Sequence, residues 1–245
     1  MESITVPWPP VPDQLPLSPG EVHLVGAPLE VEATTVTALS ETLCPEERRR
    51  ADEFHFPRDR DHYIVCRGRL RALLARYLGA TPSEIEFSYG PHGKPARAGR
   101  AGLFFNVSHS GDLAIYAVAG DREVGVDVER LREVRDLEQI SARFFSGNER
   151  RALMELPAAE RRQAFFRCWT CKEAFIKANG DGLSFPLDQF DVSLTAAEPA
   201  RLLSLRGDAQ EALRWSLLVD TPAQGYVAAL ASLGPPPQVV RWRWN

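Results

Sequence analysis

The chain has 245 residues, 44% of them hydrophobic and 25% charged, enough apolar material for one large domain or two small ones. Its formal net charge of -4 argues against a general nucleic-acid binder. No apolar run reaches the ~18 residues of a membrane span, the N-terminus lacks the basic and apolar regions of a secretory signal, and four cysteines do not make a disulfide scaffold, so the expectation is a soluble cytoplasmic protein.

In chain order, residues 1–20 are a proline-rich, extended lead-in, and "EVHLVGAPLE" is a first strand. "LCPEERRRADEFHF" predicts a short helix, with acids in its first turn and Arg48, Arg49 and Arg50 after them. A longer helix runs over Asp59–Leu78, where Ile64, Leu70, Leu73, Leu74, Tyr77 and Leu78 fall near i, i+3, i+4 spacing and Gly79 closes it. "EIEFSYGPHGKPAR" is a strand entering a tight turn that holds Gly93, Lys94 and Pro95. Three short strands follow, Leu103–Val107, Leu113–Ala119 and Glu123–Glu129, separated by Ser-Gly-Asp and Ala-Gly-Asp turns. Helical patterns occupy Arg135–Phe144, a segment from Gly147–Asn148, and Ala159–Ala178. The chain then returns to strands in "FDVSL", "RWSLLV", "GYVAALA" and "VVRWRW". Helices grouped between sets of strands predict an α+β fold.

Three further stretches can carry chemistry. In "GVDVE", Asp127 and Glu129 lie two apart on a strand and share a face, with Val126 and Val128 turned to the core. Two such carboxylates are either an exposed strand face or the start of an all-oxygen site for Mg²⁺ or Mn²⁺. In "FFRCWTCKEAFIKANGDGL", apolar residues wrap most of the helix and leave a polar seam of Lys172, Glu173 and Lys177. Glu173 and Lys177, at i, i+4, are also an ordinary surface pair. The C-x-x-C of Cys168 and Cys171 lacks the second ligand pair of a zinc site and sits inside a helix, which makes helix filling the better reading than redox chemistry. In "NVSHSGD", Ser108 and His109 stand near a strand end, as structural hydrogen-bonders or as anion ligands with the turn amides.

Five motifs in this order resemble the 4′-phosphopantetheinyl transferases of the Sfp-type class: G-K-P at Gly93–Pro95, F-N-V-S-H-S at Phe105–Ser110, G-V-D-V-E at Gly125–Glu129, R-F-F-S-x-x-E at Arg143–Glu149, and W-T-x-K-E-A-F-x-K-x-x-G-x-G-L at Trp169–Leu183. The resemblance implies two similar α+β subdomains related by a pseudo-twofold axis, with the active site at their interface, in a monomeric chain. The division expected is a lead-in at 1–20, subdomains at 21–115 and 116–233, and a tail at 234–245. It implies transfer of the phosphopantetheine arm of coenzyme A to a serine of a carrier protein of fatty-acid, polyketide or nonribosomal-peptide synthesis, releasing 3′,5′-ADP. Asp127, Glu129 and Glu173 would then hold Mg²⁺, Lys177, Ser108 and His109 would face phosphate oxygens, and Lys172 would add positive potential. The turn of Gly93, Lys94 and Pro95 would hold the nucleotide, Arg50 the 3′-phosphate, and Glu149 would be the general base, its plainer reading being a first-turn helix acid. The carrier is expected near Arg135–Phe145, with no nucleic acid or membrane as partner. The alternative is a carrier-binding module without catalysis. The proline-rich start and the tail after Gly234 carry no family motif.

Overall fold

A computed structural model describes residues 4–89, 95–97, 102–180 and 185–244. The strands are β1 (Glu21–Pro28), β2 (Phe87–Tyr89), β3 (Pro95–Arg97), β4 (Phe104–Ser110), β5 (Leu113–Ala119), β6 (Val124–Arg130), β7 (Phe190–Val192), β8 (Leu202–Leu205), β9 (Trp215–Asp220), β10 (Tyr226–Leu233) and β11 (Gln238–Arg243). The helices are α1 (Ala33–Glu41), α2 (Pro45–Asp52), α3 (Pro57–Leu78), α4 (Leu137–Phe144), α5 (Gly147–Glu155), α6 (Ala158–Asn179) and α7 (Ala209–Ala212). The α+β expectation holds, and α1, α7 and β8 are additions that no strong periodicity announced.

Two sheets form the centre, with orders β11-β1-β5-β4 and β6-β10-β9. Strand alternation explains how they stack. Val22 and Leu24 of β1 and Leu113, Ile115 and Ala117 of β5 meet Val126 and Val128 of β6 and Ala228 and Leu230 of β10 in one apolar layer. The opposite face of the first sheet, with Val25, Tyr116 and Val118, takes Val65, Leu70 and Leu73 of α3. The opposite face of the second, with Val227, Ala229 and Ala231, takes Phe175, Ala174 and Ala178 of α6. The order of layers is therefore helix, sheet, sheet, helix. Both long helices have 22 residues and stop on a left-handed glycine, Gly79 with φ 61° and Gly180 with φ 86°.

Strand pairing bears on two of the expected boundaries. All seven residues of β5 pair with β1 or β4, so a division at 115/116 would cut a strand, and the passage between sheets lies beyond Ala119. The tail is no appendage either: β11 pairs in parallel with β1, from Glu21 opposite Gln238 to Gly26 opposite Arg243. The lead-in belongs to the same structure. Val6 and Trp8 are buried in the layer between sheets, the Arg243 amide donates to Pro9 O, and Val11 N donates to Arg243 O. Both motif-free ends are thus structural.

Candidate active site

The site forms where β4, β6 and α6 meet. Gly125 sets the distance between β6 and α6, because a Cβ there would overlap the Ala174 carbonyl and the Ala178 backbone nitrogen. Only glycine lets the helix lie this close to the strand. That contact brings the polar seam of α6 to the face of β6 that carries Asp127 and Glu129.

Lys177 Nζ donates to Asp127 Oδ1 at 2.6 Å and to Ser108 Oγ at 3.0 Å. Ser108 Oγ donates to the same Asp127 oxygen at 2.8 Å. Asp127 is buried, and its second oxygen, Oδ2, is buried with no hydrogen-bond partner among the described residues. A carboxylate oxygen in that state is costly unless a ligand satisfies it. Ser110 Oγ donates to Glu129 Oε2 at 2.9 Å and accepts from Arg130 N at 3.1 Å.

The acids share one electrostatic environment. Burial pushes the Glu173 carboxyl above its usual range, Lys177 pulls it back, and the charges of Asp127 and Glu129 push it further up. Glu129 is raised in the same way, by burial first and then by Asp127, against the pull of its Ser110 hydrogen bond. Three mutually repelling carboxylates and an orphaned oxygen make a donor set suited to a hard divalent cation such as Mg²⁺ or Mn²⁺. His109 is exposed at the end of β4. The protein around its ring, then Lys177 and His62, hold its imidazole below the usual range, toward the neutral form.

A second cluster, Glu30, His62 and Asp112, is the group among the described residues whose ligand atoms all lie within 4.8 Å of one another. Arg58 pairs with both Glu30 and Asp112, and Arg130 reaches Asp112 at 3.6 Å. Guanidinium groups already neutralise it, so we read it as an ion-pair network.

Lys172 and Glu149 lie elsewhere than the motifs imply. Lys172 is fully buried and donates to Leu187 O at 2.7 Å and Phe190 O at 2.6 Å, and it pairs with Glu149 Oε2 at 2.8 Å. Its three ammonium hydrogens are therefore used inside the protein, and none is left for a ligand. Glu149 is N3 of a capping box at the start of α5, accepting from Ser146 N, and its other oxygen accepts from Val192 N at 2.8 Å. Burial raises its carboxyl, and Lys172 is the largest influence pulling the other way. Both oxygens are engaged and the side chain is 1% exposed, so it cannot touch a carrier serine in this geometry. The two residues clasp α6 to α5 and to the segment before β7.

Arg50 is exposed on α2, paired with Glu53 at 2.6 Å and lying over the Phe54 ring. Gly93 and Lys94 fall outside the described residues, as do Asp181, Gly182 and Leu183 of the last motif; Pro95 opens β3. Cys168 and Cys171 are buried, free thiols on α6, and burial pushes Cys171 up to about 12, which makes it inert as a nucleophile. Sequence reasoning passed over Asn106 and Ser110. The period-2 pattern Asn-x-Ser-x-Ser in "FNVSHS" carried the signal, since it sets three polar groups on one strand face.

Beside Glu129 opens a cleft of about 560 Å³. Val134, Ile140, Phe144 and Trp169 supply apolar walls, with Arg132 and Arg135 also lining it.

Two family models cover the chain in succession. The 4′-phosphopantetheinyl transferase N-terminal model matches residues 30–121, and the 4′-phosphopantetheinyl transferase superfamily model matches 123–231. They meet where β5 gives way to β6. The 4′-phosphopantetheinyl transferase HetI of Nostoc sp. is 42% identical over 230 residues, 93% of this chain and 94% of that protein. The 4′-phosphopantetheinyl transferase Sfp of Bacillus subtilis is 34% identical over 152 residues, 62% of this chain and 66% of that protein. Among solved structures, the Thermotoga maritima holo-[acyl-carrier-protein] synthase is a distant likeness at 22% identity and TM-score 0.37, covering 46% of this chain and 62% of that one. Models spanning both halves of the chain and a relative matched over nearly its whole length place this protein in the 4′-phosphopantetheinyl transferase family, as an enzyme of that class.

Proposed function

We propose that the enzyme transfers the 4′-phosphopantetheine arm of coenzyme A to a serine hydroxyl of an acyl or peptidyl carrier protein and releases 3′,5′-ADP. In this reaction the serine oxygen forms a bond to the phosphorus that bears the pantetheine. The bond from that phosphorus to the bridging oxygen breaks, the electron pair leaving with 3′,5′-ADP, and the serine proton passes to water. The observation that carries the reading is the buried, unpartnered Asp127 Oδ2 beside Lys177 and two further acids. Asp127, Glu129 and Glu173 would hold Mg²⁺, with Mn²⁺ as a substitute, and a divalent cation there would neutralise charge developing on the leaving 5′-phosphate of 3′,5′-ADP.

The rest falls to the chain's own groups. Lys177 and Ser108 turn polar atoms toward the same place as Asp127, and His109 adds a cation once protonated, so together they can bind and orient phosphate oxygens. The cleft next to Glu129 has apolar walls for the pantetheine arm and cationic residues for an acidic carrier. We assign Glu149 and Lys172 to holding α5, α6 and β7 together, not to contact with substrate. A pseudo-twofold relation between the two helix-and-sheet halves, a monomeric state and a cytoplasmic location belong to the same proposal. No helix among the described residues is long and apolar enough to cross a membrane.

Calorimetric titration of coenzyme A with and without Mg²⁺ tests the reading. The wild type should bind coenzyme A in a Mg²⁺-dependent manner, and Asp127→Ala or Glu173→Ala should lose that dependence with melting temperature retained. Equal Mg²⁺ dependence in both variants would remove the metal assignment.

A further inference from the structure

β4 and β6 lie side by side yet belong to different sheets. What joins them is a row of side chains from alternate positions of β4. Asn106 Oδ1 accepts from Val126 N at 2.9 Å. Ser108 Oγ donates to Asp127 at 2.8 Å, and Ser110 Oγ donates to Glu129 at 2.9 Å. The sequence offset between partners is 20, 19 and 19, so the two strands run alongside in the same direction and within one residue of a common register. The acids proposed to hold the cation are thus set by a neighbouring strand, not by their own sheet alone.

The last rung is the most informative. A backbone N–H can only donate, so the Arg130 amide commits one lone pair of the Ser110 hydroxyl. The hydroxyl proton is then free for Glu129 Oε2, 2.9 Å away. This fixed orientation favours the ionised carboxylate and ties one of its oxygens, leaving the other for a ligand.

We propose that Ser110 is a positioning residue for the transfer: from β4 it orients the Glu129 carboxylate across the junction between sheets, and so sets the affinity of the acid trio for its divalent cation. This rests on the reading of Asp127, Glu129 and Glu173 as the cation site. Ser110 touches neither substrate nor cation; it acts through Glu129. Groups that orient metal ligands in this way typically control affinity by about 10-fold or more.

The test is calorimetric titration of Mg²⁺ into the full chain saturated with coenzyme A, for wild type, Ser110→Ala and Ser110→Thr, beside melting temperatures taken without metal. Ser110→Ala should bind Mg²⁺ about 10-fold more weakly, with melting temperature and coenzyme A affinity, both measured without metal, unchanged. Ser110→Thr, which keeps the hydroxyl, should restore Mg²⁺ affinity. If Ser110→Ala folds poorly, Ser110→Cys supplies the comparison, with a similar shape and a much weaker donor. Unchanged Mg²⁺ affinity in the variant lacking the hydroxyl would overturn the inference. So would a loss that tracks a fall in melting temperature and is not restored by threonine, for then the rung is only a joint between strands. A wild type with no Mg²⁺ binding in the presence of coenzyme A would instead bring down the cation site itself, and this inference with it.

Discussion

Replacing Lys172 by methionine distinguishes a buried clasp from a ligand-binding lysine. The side chain is 0% exposed and its partner Glu149 is 1% exposed, so solvent cannot take over either charge. Removing one partner of a buried pair costs about 3–5 kcal/mol, because the other charge stays enclosed. The Leu187 and Phe190 carbonyls would also lose their donor, which acts in the same direction. For a chain of this size each kcal/mol lowers the melting temperature by ~2–4 °C, so Lys172→Met should melt some 6–20 °C below wild type. A Lys172→Met/Glu149→Gln double variant should recover part of the loss, since no bare carboxylate remains. Thermal and urea unfolding of the three proteins, with calorimetric coenzyme A binding measured below the transition, provides the assay. The expected result is a large stability loss with coenzyme A affinity kept. If Lys172→Met melts like wild type but fails to bind coenzyme A, the lysine serves the ligand and the clasp reasoning is wrong.

Two further outcomes follow from the geometry. Gly125→Ala should cost at least the ~1–3 kcal/mol of ordinary overpacking, because the atoms in the way are backbone atoms of α6 that cannot swing aside; a wild-type melting curve would show that α6 does not rest on β6 in this manner. His23 is buried against Tyr77, its Nδ1 and the Tyr77 hydroxyl 2.7 Å apart, and burial holds its imidazole below 6.5. The folded form is then neutral where the unfolded chain takes up a proton. This contribution to stability is complete above 6.5 and is lost as pH falls from there toward the folded value, by at most about 1.4 kcal/mol per pH unit. Urea midpoints at about pH 7.5 and 5.5 should therefore diverge more for wild type than for His23→Gln, and identical pH dependence would refute the assignment.

Much of the architecture was legible because period and punctuation agreed. α3 and α6 showed helical spacing closed by Gly79 and Asn179-Gly180, and β4, β5 and β6 were separated by Gly-Asp turns. The lead-in and the tail were not legible, because nothing local in "VPWPP" or "VVRWRW" says that they pair with each other and with β1. Such pairing is set by distant partners rather than by local propensity. The same limit applied within the site. Asp127, Glu129, Glu173 and Lys177 stood out by strand and helix spacing, and the fold brings Lys177 to Asp127. Lys172 looked equivalent to Lys177 on the seam, yet one residue points to β4 and the other into the interior, a difference decided by what packs on each side of α6. Glu149 carried both of its readings in the sequence, and its capping-box geometry matches the plainer one.

The central claim is the transfer itself. Apo acyl and peptidyl carrier proteins incubated with the enzyme, coenzyme A and Mg²⁺, then analysed by intact-mass and peptide mass spectrometry, address it most directly. The account predicts that a carrier gains one phosphopantetheine on a serine, that 3′,5′-ADP appears in equal amount, and that Asp127→Ala produces neither. Equal transfer by Asp127→Ala, or no transfer to any carrier by a wild type that binds both coenzyme A and Mg²⁺, would contradict it.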